Sequence, residues 1–494
     1  MAKRGSQAEL GAAALIIVGS AWLRFSHLGA QGIYSWDEMY LALHARIFAD
    51  FFRAAALGST ALYRQVSATG GLWHITAAKP AHYALMTLAA LVGGDGDLAL
   101  QAVSALCGTA SVVLVYVWGR RWSTNTGLCA AALLGGLGGH VWYSRSLLAA
   151  SPASFLLLLG SYLYLRADDP PPRDVVAAGL SIGLAISTHY NVLPAAALIV
   201  LYAAAGRNPR NAARLALGII LPLLAFEVAF VIRNIWSPRP MLDYAGELKH
   251  YLFETSRRDP AQAWAPLLLM RWLILSSGAA AAVLLGAGAA ACAAGETFKP
   301  RKLSPLLLAA ALGPGMFLVW SVASLWWAQV ARPVANLLPF LCLSAGVGWA
   351  KAAESLEKRG LPRASGPALA LLLFAAGLPR AVEFGRSVSP YKRTGDFLNE
   401  NPGAVAAWSP LVHYYAPSLP FSDAATDLGA ARYVVADFRA PENFTFPERP
   451  ALVVPFSRFD PRLVCLEEST RPGACLRGEL PFHDAVAVFA RPIP

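Results

Sequence analysis

Long apolar runs alternate with short polar loops along most of the chain. A bilayer core of about 30 Å takes roughly 20 helical residues to cross. The runs Leu10–Phe25, Leu98–Trp118, Thr126–Tyr143, Leu147–Leu165, Leu215–Ile232, Pro266–Cys292, Pro305–Leu325, Pro333–Trp349 and Pro367–Val382 read as crossings. Val175–His189 and Val192–Ala205 read as a hairpin of two short helices turning at Tyr190-Asn191. This predicts eleven transmembrane helices. Ala81–Gly93 is also apolar, but its 13 residues reach only about 20 Å as a helix. It is expected to lie beside the membrane or to re-enter it. Met39–Ala56 is amphipathic, with Arg46 and Arg53 opposite Leu41, Ile47 and Phe51, as in a helix lying on a membrane surface.

The pattern changes beyond Val382. Residues 383–494 have a soluble composition, a helical start at Tyr391–Glu400, and strand-like runs at Tyr433–Asp437, Ala451–Phe456 and Ala485–Ala490. They predict a small α/β domain, long enough for a core of its own. The expected fold is therefore a polytopic α-helical membrane protein, residues 1–382, followed by a C-terminal α/β domain, residues 383–494.

Composition agrees. Hydrophobic residues make up 56% of the 494 residues and charged ones 14%, where soluble domains average about 25% charged. The mean hydropathy is +0.46. These values exclude a disordered chain, a soluble nucleic-acid binder and an ordinary cytosolic enzyme. A net charge of +11 then reflects Lys and Arg in cytoplasmic loops. With the N-terminus inside and Ala81–Gly93 not crossing, one face collects Lys3 and Arg4, Arg120 and Arg121, Arg166 and Arg173, Arg207, Arg210 and Arg214, Lys299 to Lys302, and Lys351 to Arg363. The short loops of the other face hold Arg145 and Arg332. Counting Ala81–Gly93 as a crossing would invert every later loop. No cleavable leader is expected, because no small-residue cleavage site follows Lys3 and Arg4.

The loop 26–97, the loop 233–265, the His189-Tyr190-Asn191 turn and the tail 383–494 all fall on the outer face in this scheme. Cys465 and Cys475 in the tail are near enough in sequence to pair in an oxidising compartment. Cys107, Cys129, Cys292 and Cys342 lie in apolar stretches and read as packing residues. No zinc-like spacing is present.

Candidate chemistry gathers on the outer side. Asp37 and Glu38, in Tyr34-Ser35-Trp36-Asp37-Glu38-Met39-Tyr40, are two carboxylates just beyond the first crossing. They suit acid–base work at a lipid–water boundary, and equally the start of a helix. Lys79, before Pro80-Ala81-His82-Tyr83 at the start of a short helix, suits a lipid phosphate or ordinary headgroup contact. Outer-face arginines run against the topology bias. Arg145 therefore suits phosphate binding or an ion pair with Asp37 or Glu38, and Arg332 poses the same choice. His82, Tyr83, His189, Tyr190 and Arg233 are weaker substrate contacts; a lone histidine such as His189 is more often structural. A sugar transferase with a lipid-phosphate donor needs both parts: a carboxylate for the acceptor hydroxyl and cations for the leaving phosphate.

These residues resemble the GT-C superfamily of membrane glycosyltransferases, in the branch of protein O-mannosyltransferases and lipid A aminoarabinose transferases. The likeness rests on Leu23-Arg24-Phe25 with Ser35-Trp36-Asp37-Glu38, on Lys79-Pro80-Ala81-His82-Tyr83, on Gly119-Arg120-Arg121 with the span ending Tyr143-Ser144-Arg145, and on Gln329-Val330-Ala331-Arg332-Pro333 with Pro339. A second proline is missing after Pro80, Pro333 stands for a tyrosine, and Leu147–Ser154 lacks the branch's frequent acidic residue. The resemblance covers about Leu10–Ala350. It implies sugar transfer from a polyprenyl-phosphate donor to a lipid, glycan or protein acceptor at the outer face, with Asp37 the leading catalytic carboxylate. It implies no divalent metal, which related pyrophosphate-using branches need. It also implies a multi-pass protein of a bacterial inner membrane with a cytoplasmic N-terminus and a periplasmic tail; the Ala-, Arg- and Pro-rich usage fits a bacterium. A transporter or lipid flippase, or a non-catalytic envelope assembly factor, are the competing classes. Against a transporter stand the lack of an internal repeat and of mid-span acids other than Glu227.

Overall fold

The structure, a computed structural model, describes residues 7–56, 79–94, 96–167, 169–205, 208–236, 265–295, 331–360, 364–428, 431–456, 478–482 and 484–491, with single residues 362, 463 and 474. The helices of the membrane part are α1 (Gln7–Phe25), a one-turn α2 (Leu28–Gln31), α3 (Trp36–Ala56), α4 (Pro80–Gly93), α5 (Asp97–Gly119), α6 (Thr124–Gly136), α7 (Gly138–Arg145), α8 (Ala150–Leu165) and α9 (Pro172–Thr188). A 3-10 turn at Tyr190–Val192 leads into α10 (Leu193–Ala205). Then come α11 (Pro209–Trp236), α12 (Ala265–Ser277), α13 (Ala279–Gly295), α14 (Ala331–Lys358) and α15 (Ser365–Gly385). A helix stands at every expected crossing within the described residues. Pro305–Leu325, Cys465 and Cys475 lie outside them.

The two short helices expected around Tyr190-Asn191 are present, joined by a 3-10 turn at Tyr190–Val192. Two expected crossings are instead broken. Thr126–Tyr143 divides at Leu137, between α6 and α7, and Pro266–Cys292 divides at Gly278, whose φ is +82°. Helices α7 and α8 meet at 110°. By length and composition, four described stretches can cross a bilayer, or five if α7 and α8 are one bent span. Pro80–Gly93, Tyr190–Ala205 and Ala279–Ala294 are shorter apolar helices. This is a multi-pass membrane protein whose spans are unequal.

Helix α6 occupies the middle. Every residue from Thr126 to Gly136 is buried, as expected of a helix apolar on all sides. It packs against α5, α14, α15 and α1. Small residues let other pairs approach backbone to backbone. A Cβ on Gly179 would lie 2.5 Å from the Leu215 carbonyl oxygen, and one on Gly218 would lie 2.7 Å from that of Val176, so α9 and α11 need glycine at both crossings. Outward faces stay apolar: Leu15, Val18 and Trp22 on α1 and Leu98 and Leu106 on α5 are exposed. In a soluble protein such faces would demand partners; here lipid is their solvent.

The tail contains α16 (Pro390–Glu400), β1 (Val405–Ala407), α17 (Leu411–Tyr415), β2 (Phe421–Asp423), β3 (Tyr433–Ala436), β4 (Leu452–Pro455) and β5 (Ala485–Ala490). Its five-stranded sheet has the order β2-β1-β3-β5-β4. The first three strands are parallel, and β5 is antiparallel to both β3 and β4. Strands β3 and β5 are buried almost throughout, which explains their unbroken apolar runs.

Candidate active site

Helix α3 begins where Ser35 and Glu38 lock its first turn. The Glu38 amide donates to Ser35 Oγ (3.2 Å), and the Ser35 amide donates to Glu38 Oε2 (3.1 Å). This reciprocal pair is a capping box. Glu38 Oε2 also accepts from the Tyr34 amide (2.8 Å), and Oε1 accepts from the Leu147 amide (2.9 Å), between α7 and α8. Glu38 is fully buried. Burial pushes its carboxyl up to about 7, against three backbone amides that favour the carboxylate. Glu38, expected beside Asp37 as a catalytic carboxylate, is thus placed among backbone partners. Both its oxygens are committed to backbone, and it joins the first loop to the α7–α8 bend.

His82, expected as a weaker substrate contact, is likewise held by backbone. It is fully buried, and Nε2 donates to the Leu147 carbonyl (2.8 Å). Its proton must then sit on Nε2, because a carbonyl cannot donate. Burial holds the imidazole far below its ordinary value, at about 3, so it stays neutral. Glu38 and His82 thus grip the Leu147 peptide from its two ends. Tyr83 is buried edge-on to the His44 ring, with centroids 5.4 Å apart.

Asp37 has a different environment one residue away. Its side chain is 40% exposed, and Oδ2 lies 3.9 Å from Lys79 Nζ. Lys79 is the N-cap of α4, with Pro80 in the first turn. The expected candidates Asp37 and Lys79 are thus brought together from opposite ends of the first loop, a carboxylate open to an acceptor beside a cation.

Arg145 is fully buried and does not pair with either carboxylate as its expected ion-pair role required. Its Nη1 donates to the carbonyls of Leu23 (3.0 Å), Arg24 (3.0 Å) and Ser26 (2.8 Å). Nη2 donates to Gly385 O (3.2 Å), and Nε donates to Gln31 Oε1 (2.8 Å). All three nitrogens are occupied, Nη1 and Nη2 by carbonyls at the ends of α1 and α15 and Nε by the Gln31 side chain, so Arg145, expected at a phosphate, stands among helix ends. Arg24 does the reciprocal task. It donates to the carbonyls of Leu134 (3.3 Å) and Gly135 (3.2 Å), which the break at Leu137 leaves without amide partners, and to His140 Nδ1 (2.6 Å).

The other candidates are placed apart. His189 Nδ1 accepts from the Asn191 amide (3.2 Å) and so caps the 3-10 turn, with Tyr190 stacked against its ring at 4.9 Å. Arg332 falls in the first turn of α14 and Arg233 near the end of α11; their side chains lie outside the described residues. The apolar face of α3 also differs from expectation. Ala42, Ala45 and Ala49 are buried, while Arg46 bonds Asp97 (3.0 Å) and Arg53 bonds the Ala90 carbonyl (2.8 Å). No group of three or more His, Cys, Asp or Glu side chains gathers among the described residues.

Residues not singled out from sequence hold the first loop against the tail. Lys392 Nζ donates to Gly29 O (3.0 Å), the Ser389 amide to Gln31 O (2.7 Å), and Ile33 N to Tyr415 Oη (2.7 Å). Asp97 accepts from Tyr414 (2.7 Å) and Tyr415 (3.1 Å). Gly32 has φ +72°, and a Cβ there would sit 2.7 Å from the Tyr415 hydroxyl. Glycine is required for both reasons.

Residues 77–232, which include Lys79 and Arg145, match the family model for dolichyl-phosphate-mannose-protein mannosyltransferase. The whole arrangement is similar to the crystal structure of apo ArnT from Cupriavidus metallidurans. The TM-score is 0.57 at 13% identity, covering 87% of this chain and 93% of that one. It is also similar to the same protein bound to undecaprenyl phosphate: TM-score 0.58, 15% identity, 86% and 93% coverage. The chain shares the fold of these structures. No curated protein matches it. The resemblance to GT-C membrane glycosyltransferases thus rests on a matched segment and a fold shared over most of both chains.

Proposed function

We propose that this protein is an integral-membrane glycosyltransferase that moves a sugar from a polyprenyl-phosphate donor to an acceptor hydroxyl at the outer face of a bacterial inner membrane. The observation that carries the reading is the Asp37–Lys79 pair in an ArnT-like fold, 3.9 Å apart with the carboxylate partly exposed. The donor binds with its lipid tail among the helices and its phosphate at Lys79. Asp37 takes the proton of the acceptor hydroxyl as its oxygen attacks the anomeric carbon. The bond from that carbon to the phosphate oxygen breaks, and the polyprenyl phosphate leaves with charge balanced by the Lys79 ammonium. Arg332, beside the same outer end in the proposed topology, remains a second phosphate contact. The acceptor is a lipid, a glycan or a protein. The likeness to an undecaprenyl-phosphate-binding relative supports a polyprenyl carrier.

The test compares envelope lipids, glycans and proteins by mass spectrometry in cells with and without the protein. One product should lack a single sugar. Wild-type protein should restore it, and Asp37→Asn, present at equal level, should not. Unaltered envelope products in the deletion strain, or full restoration by Asp37→Asn, would remove the reading.

A further inference from the structure

Trp36 precedes Asp37 and is the first residue of α3. Its indole is held from the tail. Arg439 lies with its guanidinium carbon 5.0 Å from the ring centroid, and the indole N–H points to Ser409 Oγ (3.4 Å). Arg439 is itself fixed. Nη1 donates to Asp437 Oδ2 (2.7 Å) and to the Tyr391 hydroxyl (2.9 Å), and its amide donates to Asp437 Oδ1 (2.9 Å). The Tyr391 hydroxyl donates to Asp437 Oδ2 (2.7 Å). Tyr391 is fully buried, and Asp437 is 1% exposed. A buried carboxylate, a buried phenol and a stacked guanidinium form a rigid platform, since each member's rotamer is set by the others.

That platform is the last of four successive contacts on one short segment. The tail grips Gly29 through Lys392, Gln31 through Ser389, Ile33 through Tyr415, and Trp36 through Arg439 and Ser409. The next residue is Asp37. The side of α3 facing the membrane helices is locked by Glu38. Asp37 therefore sits between two rigid anchors, one from each part of the chain.

We infer that Arg439 is a positioning residue: through Trp36, the tail sets where the Asp37 carboxylate stands relative to Lys79. The inference rests on the proposed transfer reaction and extends it to the tail, which acts as the outer wall of the active site. Its chemistry is geometric. Guanidinium stacking suits arginine, because the flat, weakly hydrated group lies over an indole while its Nη1 keeps both the carboxylate and the phenol. Lysine retains charge but not that double contact.

The experiment uses full-length protein in lipid discs with a polyprenyl-phosphate sugar. Arg439→Ala should lower kcat about tenfold to a hundredfold, as expected of a carboxylate displaced by about 1 Å, with donor KM little changed. Arg439→Lys should recover part of the loss. In a Trp36→Ala background, Arg439→Ala should add no further loss, because both act through one contact. Arg432→Ala, which removes a cation over Tyr433 elsewhere in the tail, should leave kcat unchanged. Amide exchange of residues 34–40 should rise in Arg439→Ala while β3 and β5 stay protected; this readout needs no activity. Normal kcat with unchanged exchange in Arg439→Ala, or losses that multiply in the double variant, would overturn the inference. Absence of transfer by wild-type protein would instead overturn the proposed reaction, leaving the exchange measurement to judge the positioning.

Discussion

Two sets of charged groups stand at the ends of helices, and they are treated in opposite ways. Arg24 and Arg145 are fully buried and bonded to backbone carbonyls of α1, α6 and α15. Asp37 and Lys79 meet at 3.9 Å with the carboxylate 40% exposed. The arginines answer a structural problem. A helix that ends or breaks inside a membrane leaves carbonyls that no water can reach. One guanidinium, with five donors in a plane, satisfies several at once. The pair is different: Lys79 is buried, but the Asp37 carboxylate beside it keeps 40% of its side chain exposed. An intramembrane charge is thus not a functional mark by itself; what distinguishes the two sets is whether a charged group reaches the surface or is buried among helix-end carbonyls.

The same contrast separates Asp37 from Glu38. Adjacent helical residues point about 100° apart, so one faces the bend at Leu147 and the other faces Lys79.

Single substitutions test the contrast between the two sets. The largest effect is expected on activity at Asp37: Asp37→Asn should lose about 10²–10⁴-fold in transfer while folding normally, since loss of a general base has that magnitude. The check is turnover at matched levels of folded protein. Arg145→Ala should fail differently. Carbonyls of Leu23, Arg24, Ser26 and Gly385 lose their donor, at a cost of about 3 kcal/mol or more. Thermal unfolding in detergent should show a large loss of stability, and Arg145→Lys should recover little of it. Lys79→Ala should weaken donor use by about tenfold, or 1.4 kcal/mol, with the protein as stable as wild type; donor titration reads this. A drop in stability at Lys79 matching that at Arg145 would erase the distinction.

The smallest effect is a pH slope. Burial raises the Glu38 carboxyl from 4.5 to about 7. Between those values the folded state holds a proton that the unfolded chain has released, so stability falls as pH rises. The contribution is complete below about 4.5 and lost above about 7. Unfolding temperatures measured from pH 5 to 8 should decline in wild-type protein, and this part of the decline should vanish in Glu38→Gln. An unaltered slope would show that Glu38 does not titrate there.

Much of the scaffold was legible in the sequence. The hairpin at Tyr190-Asn191, the start of α4 at Pro80 and the strand Ala485–Ala490 follow from local pattern, and each is found. The breaks at Leu137 and Gly278 are hidden in runs judged by length alone, although Gly135-Gly136-Leu137-Gly138-Gly139 and Ser276-Ser277-Gly278 carry local breaker residues. The partners of Arg145 were hidden from the sequence. Its donors go to residues more than a hundred positions away, and no local spacing announces such a contact. Glu38 is different: Ser35-x-x-Glu38 is the spacing of a capping box, a local signal that separates it from Asp37. Arg439 and Tyr415 carry no comparable mark, since their partners lie in another part of the chain.

The central claim is that the Asp37–Lys79 pair performs chemistry on a bound lipid-phosphate sugar. The most direct measurement loads purified protein in lipid discs with one equivalent of polyprenyl-phosphate sugar, adds acceptor, and follows release of free polyprenyl phosphate in a single turnover. Wild-type protein should convert the bound donor to free carrier and glycosylated acceptor, while Asp37→Asn binds the donor equally well and leaves it intact. Equal conversion by Asp37→Asn, or donor that stays intact on wild-type protein with every candidate acceptor class, would contradict the account.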